Sequence, residues 1–223
     1  MDYLKNHRKI IIGSIAIILF VLVARRVLVE EITFYDKVAY DILVENLRND
    51  YLTMIMKLFT CLCSVEVLLF LCVFVFLFTN DRIKASLVSV NLIINYLINT
   101  TIKHIVQRPR PDGYRLIFEK GFSFPSGHSM IAMAFYGYIM YLVYKHEKVK
   151  WRRNLLLGLL GFVIIMIGIS RVYLGVHYAS DVLAGFCMSV AYLMLFITFS
   201  PKIVELLKKK GKNGKKETKK AKD

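Results

Sequence analysis

Gly121-Phe-Ser-Phe-Pro-Ser-Gly-His-Ser129 joins a basic, proline-punctuated loop to the start of a long apolar run. Pro125 sets φ, Ser126 is placed to cap a helix, and Gly127 lets a ligand come close to the backbone. The first turn of such a helix carries unpaired N–H groups and the positive end of its dipole, which suits an anion such as phosphate. His128 then presents a titratable imidazole beside that anion. Alone, the stretch reads equally as a proline-led helix start with an incidental histidine. What decides is where the chain's other cations and histidines fall.

On either side of this stretch the apolar residues are gathered in runs long enough to cross a bilayer, which takes about 20 residues per helix. The 223-residue chain is 57% hydrophobic yet carries 31 Lys+Arg against 16 Asp+Glu. In a membrane protein a net charge of +15 is no nucleic-acid signature, and no nucleic-acid partner is expected. Cys61, Cys63, Cys72 and Cys187 all lie inside apolar runs and read as buried structural thiols rather than a zinc site or disulfides.

Lys5, Arg8 and Lys9 precede the first run, Ile10–Ala24. No small-x-small cleavage site follows, so the run reads as a retained signal anchor with Arg25 and Arg26 snorkelling and Val27–Val29 completing the span. Residues 32–50 are too polar to cross. Phe34, Val38, Ile42 and Leu47 recur near helical spacing among acids, which predicts a short helix on the membrane surface. Leu52–Phe78 reads as the second span, closed by Thr79-Asn80-Asp81, with Glu66 inside it and left out of the site.

The third span runs from Ala85 to about Val106. Asn91, Asn95 and Asn99 are four apart, and one more step reaches Lys103. Asn91 is expected to bond between helices and Asn99 to brace Lys103. Arg108-Pro-Arg-Pro-Asp-Gly113 cannot be helix interior, and its loop carries Arg108, Arg110, Arg115 and Lys120. Spans four to six are expected at Gly127–Tyr144, Leu155–Ile169 and Ala179–Phe199. Pro201 is expected to end the last of them, and the Lys/Gly-rich tail to be disordered.

The expectation is therefore an all-α polytopic membrane protein with six transmembrane helices and a short interfacial helix after the first. Residues 1–201 form one membrane domain, and 202–223 a cytoplasmic polybasic tail. Six spans put both termini on one side with most of the Lys/Arg, and the positive-inside rule makes that side cytoplasmic. The opposite, extracytoplasmic face then gathers Lys103, Arg110, Ser126, Gly127, His128, Arg171, His177 and Asp181. A phosphoryl group in transfer spreads charge over three oxygens, and Lys103, Arg110 and Arg171 with helix-start N–H groups offer a cradle for it. His177 and Asp181 are four apart, so a helical turn lets the carboxylate hold one imidazole nitrogen protonated and free the other as nucleophile. His128 is placed to protonate the leaving oxygen. No His-Glu-x-x-His and no cluster of acids appears on that face, which argues against a two-metal hydrolase.

Lys103-x6-Arg110-Pro111, Pro125-Ser-Gly-His128 and Ser170-Arg171-x5-His177-x3-Asp181 resemble the three signature motifs of the phosphatidic acid phosphatase type 2 superfamily. The motifs cover residues 103–181. The resemblance implies a nucleophilic His177 with Asp181 as its partner and His128 as the acid. It implies phosphate binding by Lys103, Arg110, Ser126, Gly127 and Arg171, without metal or cofactor. The implied function is hydrolysis of a phosphomonoester or diphosphate lipid, which the topology puts at the outer face of the cell membrane, and no obligate protein partner is evident in the sequence. Phosphatidylglycerophosphate, phosphatidate and undecaprenyl diphosphate stand as candidate substrates, the last pointing to carrier recycling for the cell wall. A non-catalytic anionic-lipid binding or transport protein would use the cations without needing the His177/Asp181 pair. A haloperoxidase would need vanadate in place of phosphate.

Overall fold

The computed structural model describes residues 2–79, 81–113 and 115–220, and among them every regular element is a helix. Helix α1 spans Asp2–Glu30 and α2 spans Phe34–Tyr40, continuing as a π-helical turn over Asp41–Asn46. Then follow α3 (Asp50–Cys61), α4 (Val65–Phe78), α5 (Arg82–Val106), α6 (Gly127–His146), α7 (Lys150–Tyr173) and α8 (Ala179–Lys220). Side-chain caps mark most starts: Asn49, Ser64, Asp81 and Ser126 each accept an N–H of the first turn, and Thr33 forms a capping box with Asp36.

Helix α6 is the centre, packed between α5, α7 and α8. Met130, Ala132, Ala134, Phe135 and Tyr138 are all buried on it. Close approach depends on small residues: a Cβ on Gly137 would meet Leu193 at 2.9 Å, and one on Gly168 would meet Phe186 at 2.6 Å. The asparagines of α5 bond across helices. Asn91 Nδ2 donates to the Ala134 carbonyl at 2.7 Å and Asn95 Nδ2 to Ser189 Oγ at 2.9 Å, so Asn91 is the interhelical bond expected of it.

Four helical segments are long and apolar enough to cross a membrane: His7–Glu30, Arg82–Val106, Lys150–Tyr173 and Ala179–Leu206. The α3–α4 pair, expected as the second span over Leu52–Phe78, is apolar enough only when its two helices are taken together, and it is bent by 49° at the break. The break has a local cause. Ser64 starts a new helix by capping the Val67 N–H, while the Tyr136 hydroxyl satisfies the freed Leu62 carbonyl at 2.8 Å. Glu66 thus sits in the first turn of α4, exposed, just after the break in the pair. Helix α6 falls short of this count because its tyrosines and its polar first turn dilute its apolar residues.

Two further expectations are corrected. Helix α8 does not stop at Pro201 but runs through it to Lys220, so the tail is helical as far as that residue. The segment after the proline is rich in Lys, Leu and Glu, all good helix formers, and Lys208 pairs with Asp81 at 2.6 Å. Asn80 of the expected turn and residues 221–223 of the tail lie outside the described residues. Helix α2 lies where a surface helix was expected, with Phe34, Val38, Ile42 and Leu47 exposed, as suits a stripe facing lipid. Its hold on the protein is a buried acid, Asp36.

Candidate active site

Four chain segments build the site. Helix α5 ends where Gln107 turns left-handed (φ 51°), leaving Lys103 in its last turn. The loop from residue 107 to 126 is tied down by Ser123 N–H to the Arg108 carbonyl (2.8 Å) and Leu116 N–H to the Leu174 carbonyl (3.0 Å). Ser126 N–H then donates to the Asp181 carbonyl at 3.0 Å, joining the start of α6 to the start of α8. Between α7 and α8, Gly175 takes a positive φ of 75°. The N–H groups of Val176 and His177 both reach back to the Arg171 carbonyl.

His177 is buried at the meeting point of these segments. Its Nε2 lies 3.0 Å from Nη1 of Arg110, and its Nδ1 lies 3.4 Å from Oδ2 of Asp181 and 3.3 Å from Oγ of Ser123. A guanidinium only donates, so Nε2 must be the acceptor and Nδ1 must carry the proton toward Asp181. This is the tautomer that the four-residue spacing predicts. Burial pushes the His177 pKa down to about 3, against the opposing pull of Asp181, so the ring stays neutral at ordinary pH. Nε2 therefore keeps its lone pair, which accepts from Arg110.

A cavity of about 310 Å³ opens in front of it, and its lining includes Lys103, Arg110, Glu119, Gly127, His128 and His177. Of the eight residues expected, five thus meet at one cavity: Lys103, Arg110, Gly127, His128 and His177. Asp181, Ser126 and Arg171 stand behind its wall. Ser126 Oγ is spent on the helix cap, and its N–H on the Asp181 carbonyl. Arg171 is buried, with Nη1 on Thr60 Oγ1 and Nη2 on Glu119. Arg110 is locked by the Gly121, Lys120 and Val176 carbonyls at 2.9–3.0 Å. Lys103 Nζ donates to the Phe122 carbonyl.

Asn99 does not brace Lys103 as expected. Its Nδ2 donates to the Pro125 carbonyl at 3.1 Å, and its Oδ1 lies 3.1 Å from where a Cβ on Gly127 would stand. It braces the turn before α6 instead, because one helical step from residue 99 faces that turn while Lys103 reaches past it to the loop.

Three supporting residues escape a reading of the motifs. Ser123 Oγ donates to Asp181 Oδ2 beside the His177 ring. Arg108 donates Nη1 to Asp181 Oδ1 at 2.6 Å and Nη2 to Asp36 Oδ2 at 2.9 Å, its guanidinium 4.0 Å above the Tyr178 ring. Asp36 accepts from both the N–H and the hydroxyl of Ser180, at 2.8 and 2.9 Å. Asp181 is thus held on both oxygens, Oδ1 by Arg108 and Oδ2 by the His177 side. Arg108 offered a signal, a second arginine between prolines. Asp36 offered none, being 144 residues from Ser180.

Residues 84–205, which hold every one of these motif positions, match the PAP2 superfamily. The chain belongs to that superfamily. Phosphatidylglycerophosphatase B of Bacillus subtilis is 41% identical over 108 residues, 48% of this chain and 53% of the relative. Dolichyldiphosphatase 1 of Rhinolophus ferrumequinum is 34% identical over 116 residues, 45% and 48% of the two chains. The chain spans about half the length of these curated relatives. A crystal structure of a transmembrane PAP2-type phosphatidylglycerolphosphate phosphatase from Bacillus subtilis superposes with a TM-score of 0.78. It is 30% identical, and the match covers 86% of this PAP2 chain and 96% of that one. LpxE of Aquifex aeolicus shares the fold, with a TM-score of 0.59 at 24% identity over 75% of this chain and 98% of that one.

Proposed function

We propose that this PAP2 protein is a membrane lipid phosphate phosphatase that hydrolyses a phosphomonoester or diphosphate head group through a phosphohistidine intermediate. The observation that carries the reading is the neutral His177 ring, with Nδ1 turned to Asp181 and Nε2 at a cavity edged by Lys103, Arg110 and His128. Nε2 attacks phosphorus, and the bond to the leaving oxygen breaks as His128 gives that oxygen a proton. Lys103, Arg110 and Arg171 neutralise the charge on the phosphoryl oxygens, the task a metal serves elsewhere. Water, activated by His128, then resolves the intermediate and releases phosphate.

The likeness to phosphatidylglycerophosphatase B favours phosphatidylglycerophosphate, and the dolichyldiphosphatase relatives keep undecaprenyl diphosphate and other diphosphates in view. The reading places six spans in the membrane, with α6 as the fourth, both termini cytoplasmic and the site outside. Arg82 and Lys84 at the start of α5, Lys145, Lys148 and Lys150 around the α6–α7 turn and the lysines at the end of α8 favour this orientation.

Purified protein in detergent should release phosphate from phosphatidylglycerophosphate, phosphatidate or undecaprenyl diphosphate. No release from any of the three, with tight binding kept, would leave an anionic-lipid binding protein. Cysteines placed at Asp112 and Lys150 in a cysteine-free background should label from opposite sides of intact cells, Asp112 from outside. Labelling of both from outside would refute the orientation.

A further inference from the structure

We propose that Glu119 is an internal stand-in for substrate phosphate. It holds Arg171 until a phosphate displaces it, and by returning it expels inorganic phosphate after hydrolysis. The inference rests on reading Arg171 and Arg110 as phosphate ligands.

One carboxylate faces both arginines: Glu119 Oε1 accepts from Arg171 Nη2, and Oε2 lies 4.0 Å from Arg110 Nη2. Glu119 lines the cavity, whereas Arg171 is only 1% exposed and lies behind it. A phosphate entering the cavity therefore meets the carboxylate before it meets the guanidinium. The carboxylate also fills the fork incompletely. Among the described residues Arg171 Nε is buried with no hydrogen-bond partner, and an oxyanion that spans Nε and Nη2 makes the paired contact that arginine favours. Phosphate carries the oxygens for this and more charge than a carboxylate, so the exchange runs forward on substrate binding.

The nucleophile responds to the same event. Arg110 Nη1 sits on the nitrogen that must attack. A phosphoryl oxygen offers Arg110 a charged acceptor in place of a neutral imidazole, and this frees the Nε2 lone pair as the substrate arrives.

Glu119 sits on a segment able to move. Between the backbone ties at Leu116 and Ser123, the Lys120 and Gly121 carbonyls are held by Arg110 itself. Gly121 takes a φ of +73°, with no described residue within 4 Å of where its Cβ would be, and Phe118 on the other side is 79% exposed. The contacts that position the segment are thus largely those that phosphate would claim.

The test measures inhibition of the full-length protein in detergent by orthophosphate and by vanadate, with an aryl phosphate as substrate. Removing the internal competitor should tighten anion binding. Glu119→Gln should lower both inhibition constants and KM by about tenfold or more, with kcat falling if phosphate release becomes slow. Glu119→Asp, a charged but shorter competitor, should lie between. An unchanged or raised phosphate constant in both variants would overturn the proposal, making Glu119 a brace for Arg171. Arg171→Ala separates the underlying reading. If it leaves the phosphate constant unchanged, Arg171 is no phosphate ligand and the proposal falls with that assignment. If it weakens phosphate while Glu119→Gln tightens nothing, only the role of Glu119 falls.

Discussion

Residues 84–205 and residues 2–78 contribute to the site in opposite ways. The later region carries every motif position, at spacings that helices and tight loops convert directly into proximity. His177 and Asp181 are one helical turn apart, and Lys103 and Arg110 flank one helix end. The earlier region puts none of the residues named above on the cavity, yet it closes the back of the site. Asp36 holds Arg108 and Ser180, Thr60 accepts from Arg171, and Arg48 donates to the Tyr173 carbonyl at the end of α7 at 2.8 and 3.1 Å. Reactive atoms come from local spacing, whereas their rigidity comes from distant chain. The two should therefore respond differently to substitution.

The largest expected effect lies in the motif region. His177→Ala should abolish turnover and the acid-labile phosphate left on the protein after brief reaction with labelled substrate. Asp181→Asn should lower kcat by up to about 10⁴-fold, the cost of a wrong histidine tautomer in a triad. Retention of labelled adduct in His177→Ala would move the nucleophile elsewhere. In the N-terminal region, Asp36→Asn should cost stability first. It leaves a buried guanidinium short of one partner, worth about 3–5 kcal/mol when a buried pair is broken. Thermal unfolding in detergent should show a clear drop, with turnover of the remaining folded protein reduced but present. Complete loss of turnover without destabilisation would erase the distinction between the two regions.

Acid pH probes the dyad without substitution. Protonating Nε2 would remove the proposed nucleophile, but His177 is held down to about pKa 3 by burial. The acid limb of kcat/KM set by this residue should thus lie well below the 6.5 of an ordinary histidine. Because the folded value is depressed, the unfolded chain binds the extra proton first. Stability should be full above about pH 6.5 and decline as pH falls toward 3. A kcat/KM limb near 6.5 assigned to His177 would mean that water reaches the ring.

The smallest contrast is within α5. Asn91→Leu should cost about 1–2 kcal/mol of stability, as for an interhelical bond in a bilayer, and leave turnover near normal. Asn99→Leu should reduce turnover several-fold by loosening the Pro125 turn beneath Gly127 and His128. Equal, unaffected turnover in both would make Asn99 a packing residue only.

Much of the bundle was legible because lipid-facing helices must be continuously apolar, so α1, α5, α7 and the first part of α8 stand out as runs. What was misread has local physical causes. The α3–α4 pair is as apolar as a straight span, and only the Ser64 cap and the Tyr136 hydroxyl reveal the break. Pro201 reads as a stop, but α8 runs through it, and the segment beyond is tied to the start of α5 by the Lys208–Asp81 pair.

The sequence by itself determined the chemistry: two histidines, one acid and three cations at spacings that turns and helix ends bring to one face. It also put Asp181 four residues from His177, within reach of one imidazole nitrogen, while the Arg110 contact at Nε2 that fixes the tautomer came from the tertiary fold. Only the tertiary structure decided which groups touch the cavity and which stand behind it. It put Glu119 on Arg171, moved the work of Asn99 to the Pro125 turn, and joined Asp36 to Asp181 through Arg108. Periodicity reports which side of a helix a residue occupies, whereas burying a charge demands a partner of opposite sign from wherever the chain can supply one.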